Sequence, residues 1–189
     1  MKKFLLIVLV ACSAVTMRGQ QLAVGTDGLM DLMMIPNFGV EIGLGRSHTA
    51  ERSVLGLHGF GSYHPWGKKV RLLGIQPEYR YFFSGRAMNR WFVGLGGLFT
   101  SYDITWAGKV YNGTAFGGGL TFGYVFNVTN RLNIDVHGGF GPIFYSQKEY
   151  FEGDFYDVDY QQNGVLTTNA QGYTLLPSRI GVSLTYILK

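Results

Sequence analysis

The sequence predicts an all-β chain: an eight-stranded antiparallel up-and-down transmembrane β-barrel. Three observations carry that expectation. First, large apolar residues recur at alternate positions, the side-chain period of a strand. In "TFGYVFNVTNRLNIDVHGGFGPIFY", residues 121–145, most alternate positions from Phe122 to Phe126 and from Leu132 to Phe144 are large and apolar, while Gly123, Asn133, Asp135, His137, Gly139 and Gly141 fall between them. Second, the 189 residues include 28 glycines and are 47% hydrophobic but only 15% charged, too much glycine and too little charge for an ordinary soluble domain. Third, the face opposite the bulky one is small rather than charged. Along Gly113–Asn127 it reads Ala115, Gly117, Gly119, Thr121 and Gly123, and no charged residue occurs from Trp91 to Tyr102.

Turn signals divide the chain into strands near 21–31, 37–45, 53–63, 70–83, 90–104, 113–127, 131–147 and 173–188. The second strand sets Phe38, Val40, Ile42 and Leu44 against Asn37, Gly39, Glu41 and Gly43. The fourth sets Leu73, Ile75, Pro77, Tyr79 and Tyr81 against Leu72, Gly74, Gln76, Glu78 and Arg80, and the eighth sets Ile180, Val182, Leu184, Tyr186 and Leu188 against Arg179, Gly181, Ser183, Thr185 and Ile187. The first strand, "LAVGTDGLMDL", alternates poorly. Pro77 cannot donate a ladder bond, so a bulge or a missing hydrogen bond is expected there. An even strand count brings the first and last strands to the same side, where they can close.

Two barrels fit this pattern. A soluble lipocalin-like barrel turns apolar side chains inward to a ligand; a membrane barrel reverses the faces. A water-facing surface needs Lys and Glu, whereas a narrow bore has room for Gly, Ser, Thr and a few paired charges, so the bulky face is read as lipid-facing. Interfacial aromatics are expected as two girdles, Tyr81, Phe82, Trp91, Phe126 and Tyr186 at one end and Tyr63, Trp66, Trp106 and Phe144 at the other.

Residues 1–19 read as a signal peptide, with Lys2 and Lys3 before the apolar run from Phe4 and cleavage after Gly19, leaving 20–189 as the barrel domain. A rival reading makes "LVAC", Leu9 to Cys12, the site of a lipid-modified cysteine. Removing Lys2, Lys3 and Arg18 takes the formal charge from +4 to +1, so the sequence pI of 9.2 gives no reason to expect nucleic acid. Loss of Cys12 leaves no disulfide, thiol nucleophile or cysteine metal ligand. No cofactor is called for: "GLGG" at Gly94 lacks the helix that a phosphate loop requires.

Asp27, Glu41, His58, Gln76, Glu78, Arg80, Asp135, His137 and Arg179 are placed in the lumen as a paired polar network. It is read as a plug rather than an ion path, because eight strands leave a bore just wide enough for side chains. A lipid-modifying enzyme is the alternative function, with His58 and Ser62, or His137 beside Asp135, as its only material; no catalytic residue is assigned. The acidic, aromatic segment Glu149–Gly164 is expected outside the cell. It serves either as a solvated hairpin, as a partner-binding tip anchored by Tyr150, Phe151, Phe155, Tyr156 and Tyr160, or as a weak calcium site at Asp157 and Asp159. Lys68, Lys69 and Lys109 lie near the same rim, as solubilising charges or as contacts for lipopolysaccharide phosphates.

The segment from Arg179 to Tyr186, "RIGVSLTY", resembles the last-strand signal read by the barrel assembly machinery of the outer membrane, although Leu188 and Lys189 replace the usual terminal aromatic. "IPNFGVEIGLG" from Ile35, "YHPWG" from Tyr63, "QPEYRYFF" from Gln76, "WFVGLGG" from Trp91 and "GVSLTYILK" from Gly181 together resemble an uncharacterised small β-barrel family of Bacteroidota, often encoded near fimbrillin genes. The resemblance spans the mature chain and lacks the cysteines that the family's final loops commonly carry. The strand pattern is read as a small barrel of the OmpA/OmpX-like type in a Gram-negative bacterium, with both barrel ends periplasmic, and the resemblance implies the outer-membrane location. It implies no established activity. The partners it suggests are outer-membrane lipid and lipopolysaccharide, the assembly machinery, and an extracellular protein or fimbria.

Overall fold

A computed structural model describes residues 21–45, 50–160 and 168–188; residues 1–20 with Cys12, residues 46–49 with His48, residues 161–167 of the final connection and Lys189 lie outside the described residues. Eight strands follow one another in a closed antiparallel ring: β1 (Leu22–Asp27), β2 (Asn37–Gly43), β3 (Ser53–Tyr63), β4 (Val70–Phe82), β5 (Arg90–Trp106), β6 (Lys109–Asn127), β7 (Leu132–Phe151) and β8 (Ala170–Ile187). Two short helices, α1 (Gly28–Leu32) and α2 (Tyr156–Asp159), lie in the first and last connections. The rim carrying the β1–β2, β3–β4, β5–β6 and β7–β8 connections is called distal; the other, where β1 begins and β8 ends, is called terminal.

The period of two decides which side chains are buried. On β4, Gly74, Gln76, Glu78, Arg80 and Phe82 are buried, whereas Leu73, Ile75 and Tyr79 are exposed on the outer wall. Leu95, Leu120 and Ile180 are likewise outward, 62%, 62% and 58% exposed. The outside is therefore apolar and the bore polar, the reverse of a water-soluble barrel. Register lines up one outward row across the wall, in which Ile75 pairs with Phe99, Phe99 with Phe116, Phe116 with Phe144 and Phe144 with Tyr173. Nearer the terminal rim, Trp91 packs edge-on to Tyr124 at 4.9 Å, and Tyr124 lies 4.6 Å from Phe126.

Several expectations need correction. The first strand ends at Asp27 rather than 31, because Asp27 becomes a helix N-cap, its Oδ1 accepting from the N–H groups of Leu29 and Met30. The β1–β8 seam thus runs only from Ala23↔Ile187 to Asp27↔Ser183, and α1 packs against β8 just beyond it. Strand β6 starts at Lys109, not 113. β5 and β6 meet in a two-residue turn with both Ala107 (φ 50°) and Gly108 (φ 77°) left-handed, the geometry that matches strand twist. β7 continues to Phe151 and β8 begins at Ala170, so the distal wall stands taller than the pattern suggested.

Phe82 leaves the expected girdle. It is fully buried, packed in the bore with Val54, Phe92, Val125 and the inward-folded turn residues Ala87 and Met88. Trp106 sits at the tip of the β5–β6 hairpin and Phe144 in the row below it, so the distal aromatics form two levels rather than one belt.

Each strand proline interrupts a ladder. Pairing of β4 with β5 skips from Ile75↔Phe99 to Glu78↔Gly96 beside Pro77 with no change of register, so bonds are missing and no bulge forms. β6 and β7 skip from Gly117↔Ile143 to Leu120↔Phe140 beside Pro142. At Pro177 the register does shift: Gly139↔Arg179 is followed by Phe140↔Pro177, which leaves Ser178 as the extra residue of a bulge.

Glycines let β6 and β7 approach. A Cβ on Gly141 would collide with the Gly118 carbonyl, and one on Gly119 with that of Phe140. Gly141→Val is expected to cost about 1–3 kcal/mol through this overlap, read as a lower denaturant midpoint of the detergent-folded protein; an unchanged midpoint contradicts the close approach.

Candidate functional site

The nine polar residues expected in the lumen all lie in the bore, none more than 7% exposed. Arg80, inward on β4, is the hub. Its Nη1 donates to Asp135 Oδ2 at 2.6 Å and lies 3.1 Å from Glu41 Oε1, while its Nε lies 2.9 Å from Glu78 Oε2. Arg179 Nη1 donates to the same Glu78 oxygen from β8. His58 Nε2 faces Glu41 Oε1 at 3.5 Å, and His137 lies between Asp27 Oδ2 at 3.3 Å and Asp135 Oδ1 at 3.7 Å. Gln76 donates to the Ser178 carbonyl at 3.3 Å, inside the β8 bulge.

Four carboxylates thus meet two guanidiniums and two imidazoles drawn from β1, β2, β3, β4, β7 and β8. Such groups are costly to bury singly and tolerable together. Space for them comes from glycine. A Cβ on Gly39 would overlap the His58 ring, one on Gly181 would overlap Asp27, and one on Gly94 would lie 2.6 Å from Thr121 Oγ1.

Asp27 serves two structures at once, capping α1 with Oδ1 and facing His137 with Oδ2. Asn37 ties this corner, accepting from Asp27 N at 2.6 Å and donating to Asp31 Oδ1 at 2.9 Å.

Toward the terminal rim the ionic layer gives way to an apolar stopper. Arg80 lies 4.6 Å over the Phe92 ring, and Phe92 packs 5.3 Å from Phe82. Met88, 3% exposed, closes this end, its carbonyl accepting from Asn127 and Asn133. The cavities flanking Arg80 and Arg179 are each about 10 Å³, room for one water molecule and not for a file of ions. Sequence reasoning placed neither Phe82 nor Met88 inside; the buried "AM" of the 83–89 turn has no periodicity to reveal it.

Of the two catalytic alternatives, His58 and Ser62 are not brought together, whereas His137 does lie beside Asp135, inside the ionic layer. Ser62 Oγ donates to the Met34 carbonyl at 2.8 Å, while His58 is engaged with Glu41 deeper in the bore. Among the described residues no group of three or more His, Cys, Asp and Glu side chains could hold a metal ion. Asp159 Oδ2 accepts from Phe155 N at 2.8 Å, and Asp157 lies 3.8 Å from Lys148 Nζ, so these two carboxylates point to different partners.

The distal aromatics divide into two sets. Tyr150, Tyr156 and Tyr160 pack on one another: Tyr156 and Tyr160 stack at 5.7 Å and 3°, and Tyr150 lies 5.7 Å from Tyr156. Lys148 covers the Tyr156 ring at 4.7 Å, and Tyr156 is buried. Partial burial, and then the Asp154 carboxylate that Tyr160 bonds at 2.9 Å, push the Tyr160 hydroxyl above the ordinary tyrosine range. These three rings fasten the loop to β7 and are spent as anchors. Phe151 and Phe155 remain exposed, joined by Val158. The rim lysines are also engaged: Lys68 lies over Trp106, Lys109 over Phe151, and Lys69 pairs with Glu152.

A family model described as "Protein of unknown function (DUF3575)" matches residues 4–188. The chain belongs to this family. No curated protein matches it. No solved structure matches it either. For this family member the bore and the distal rim are therefore the sites that its own geometry defines.

Arg80→Met strands Glu41, Glu78 and Asp135 around an uncharged side chain and is expected to cost about 3–5 kcal/mol, as when one member of a buried ionic cluster is removed. Lys69→Ala at the exposed rim is expected to cost no more than about 1 kcal/mol. Denaturant midpoints of the refolded variants check the contrast; equal losses contradict the hub.

Proposed function

We propose that this family member is a non-enzymatic outer-membrane protein of a Gram-negative bacterium, its terminal rim periplasmic and its distal rim extracellular. The observation that carries the reading is the inverted barrel: exposed Leu, Ile, Val and Phe clothe the outside, and a closed ionic layer fills the inside. In lipid a sheet cannot leave an unpaired edge, and a closed ring has none, its ladders interrupted locally beside Pro77 and Pro142. The run from Trp91 to Phe99 between the two aromatic levels, at about 3.3 Å per residue and a tilt of about 40°, spans about 20 Å, near the height of an outer-membrane apolar band. The tall β5–β6 and β7–β8 hairpins and the longest connection, 152–169, stand on the distal rim and support the orientation.

The role at the surface is interaction rather than catalysis or conduction. The cavities beside Arg80 and Arg179 are too small for a file of ions, Ser62 is hydrogen-bonded to the Met34 carbonyl, and His58 and His137 face carboxylates of the ionic layer. Phe151, Phe155 and Val158, raised on a loop that Tyr150, Tyr156 and Tyr160 pin, form the patch offered to an extracellular or fimbrial partner.

Leu120→Arg, on the outward face between the aromatic levels, is expected to cost about 2–4 kcal/mol in folding into lipid vesicles, whereas Thr114→Arg, two strand steps beyond Phe116, costs little. A water-soluble barrel predicts no loss for either, measured as folded fraction against urea. Replacing Phe155 and Val158 with Ser is expected to keep heat-modifiable gel mobility and to abolish adhesion of intact cells to a fimbriated surface; undiminished adhesion removes the loop from the account.

A further inference from the structure

On the outer wall of β4, β5 and β6 two cavities adjoin. The lower, about 600 Å³, is walled by Leu73, Ile75, Phe99 and Phe116 with Thr114 at its upper edge. The upper, about 700 Å³, takes in Tyr63, His64, Arg71, Asp103 and Asn112. Leu73 and Ser101 line both, so one slot passes from apolar to polar along the strand direction. Ser101 and Thr114, register partners with small side chains, leave the gap between the bulkier Leu73 and Phe116 where the two parts meet. Both are open troughs on the wall rather than enclosed cavities, the form that suits a ligand lying along the surface.

The charges in the upper part are not matched to each other. Arg71 is the register partner of Asp103, yet no ion pair joins them among the described residues; the guanidinium lies over the Tyr63 ring, 5.4 Å from its centroid. The lower part presents only apolar walls and hydroxyls. One cation and one anion above an apolar trough complement a headgroup carrying both signs. A diphosphorylated lipid would set two negative groups against a single arginine and meet repulsion from Asp103.

We propose that this slot binds one zwitterionic phospholipid with a phosphate and a primary ammonium. An acyl chain lies along Leu73, Ile75, Phe99 and Phe116, the phosphate meets Arg71, and the ammonium meets Asp103. The proposal rests on the outer wall facing lipid.

The test is native mass spectrometry of the full protein released from detergent micelles with added phosphatidylethanolamine, phosphatidylglycerol or lipid A. The wild type is expected to retain phosphatidylethanolamine in preference to the other two. Arg71→Ala is expected to lower retention about tenfold, the worth of one charge-assisted contact. Asp103→Asn is expected to abolish the preference over phosphatidylglycerol while leaving retention itself. Phe99→Ala lowers retention of all diacyl lipids, and Arg86→Ala, in the exposed terminal-rim turn, changes nothing. Heat-modifiable mobility verifies that each variant is folded. Absence of an adduct on the wild type, preference for lipid A, or adducts indifferent to both charge variants overturns the slot. A protein that fractionates away from membranes overturns the outer-membrane reading instead, and the two failures are told apart by that fractionation.

Discussion

The narrowness of an eight-stranded bore is the constraint on which the rest depends. Side chains alone fill it, so a charge placed there is out of reach of bulk water and must find its counterpart on another strand. Arg80 meets that demand by reaching Glu41, Glu78 and Asp135 together, and Arg179 completes Glu78 from the far side of the ring. The glycines follow from the same constraint. Gly39, Gly94 and Gly181 occupy positions where any Cβ would displace a polar side chain of the layer or press against one. Gly119 and Gly141 serve strand approach instead, so the high glycine content answers to the crowding of the ring as a whole.

The ionic layer also explains how unequal strands form one ring. β1 and β2 are short, and β1 turns into α1 at Asp27. Because Asp27 faces His137 on β7 while capping that helix, the shortest strand is tied across the bore as well as along the seam. The taller wall of β5 to β8 is fastened on its inner face by Tyr102, which donates to Gln147 past β6. It is held by its own ladder, by the Ala107–Gly108 turn and by the tyrosine stack that folds the final connection back on β7. The ionic layer and the final connection are therefore held by largely separate contacts.

Much of the ring was legible because a period of two speaks for both faces at once. Glu41, Gln76, Glu78, Arg80, Asp135, His137 and Arg179 could be placed inside without knowing any partner, since their neighbours Val40, Ile42, Tyr79, Val136 and Ile180 had to point out. Their mutual pairing was not legible, because it depends on register between strands far apart in sequence. Phe82 was misplaced because an aromatic near a strand end fits a girdle as well as a stopper, and only its phase with Arg80 separates the two. Ala107–Gly108 lacks the asparagine or aspartate that usually announces a tight hairpin, so the upper wall was cut short. The tyrosines of the final loop looked like free anchors because composition reports residue types and not whether they bind one another.

The central claim is that the apolar outer wall meets hydrocarbon while the bore holds a closed ionic layer. Nitroxide labels at Leu95, Leu120 and Val182, read for collision with oxygen against a water-soluble nickel chelate in reconstituted vesicles, test it most directly. The account predicts strong oxygen and weak nickel accessibility at all three outward positions, and nickel accessibility returning at Asn112 above the distal aromatic row. Nickel accessibility at Leu95, Leu120 and Val182 equal to that at Asn112 would contradict it.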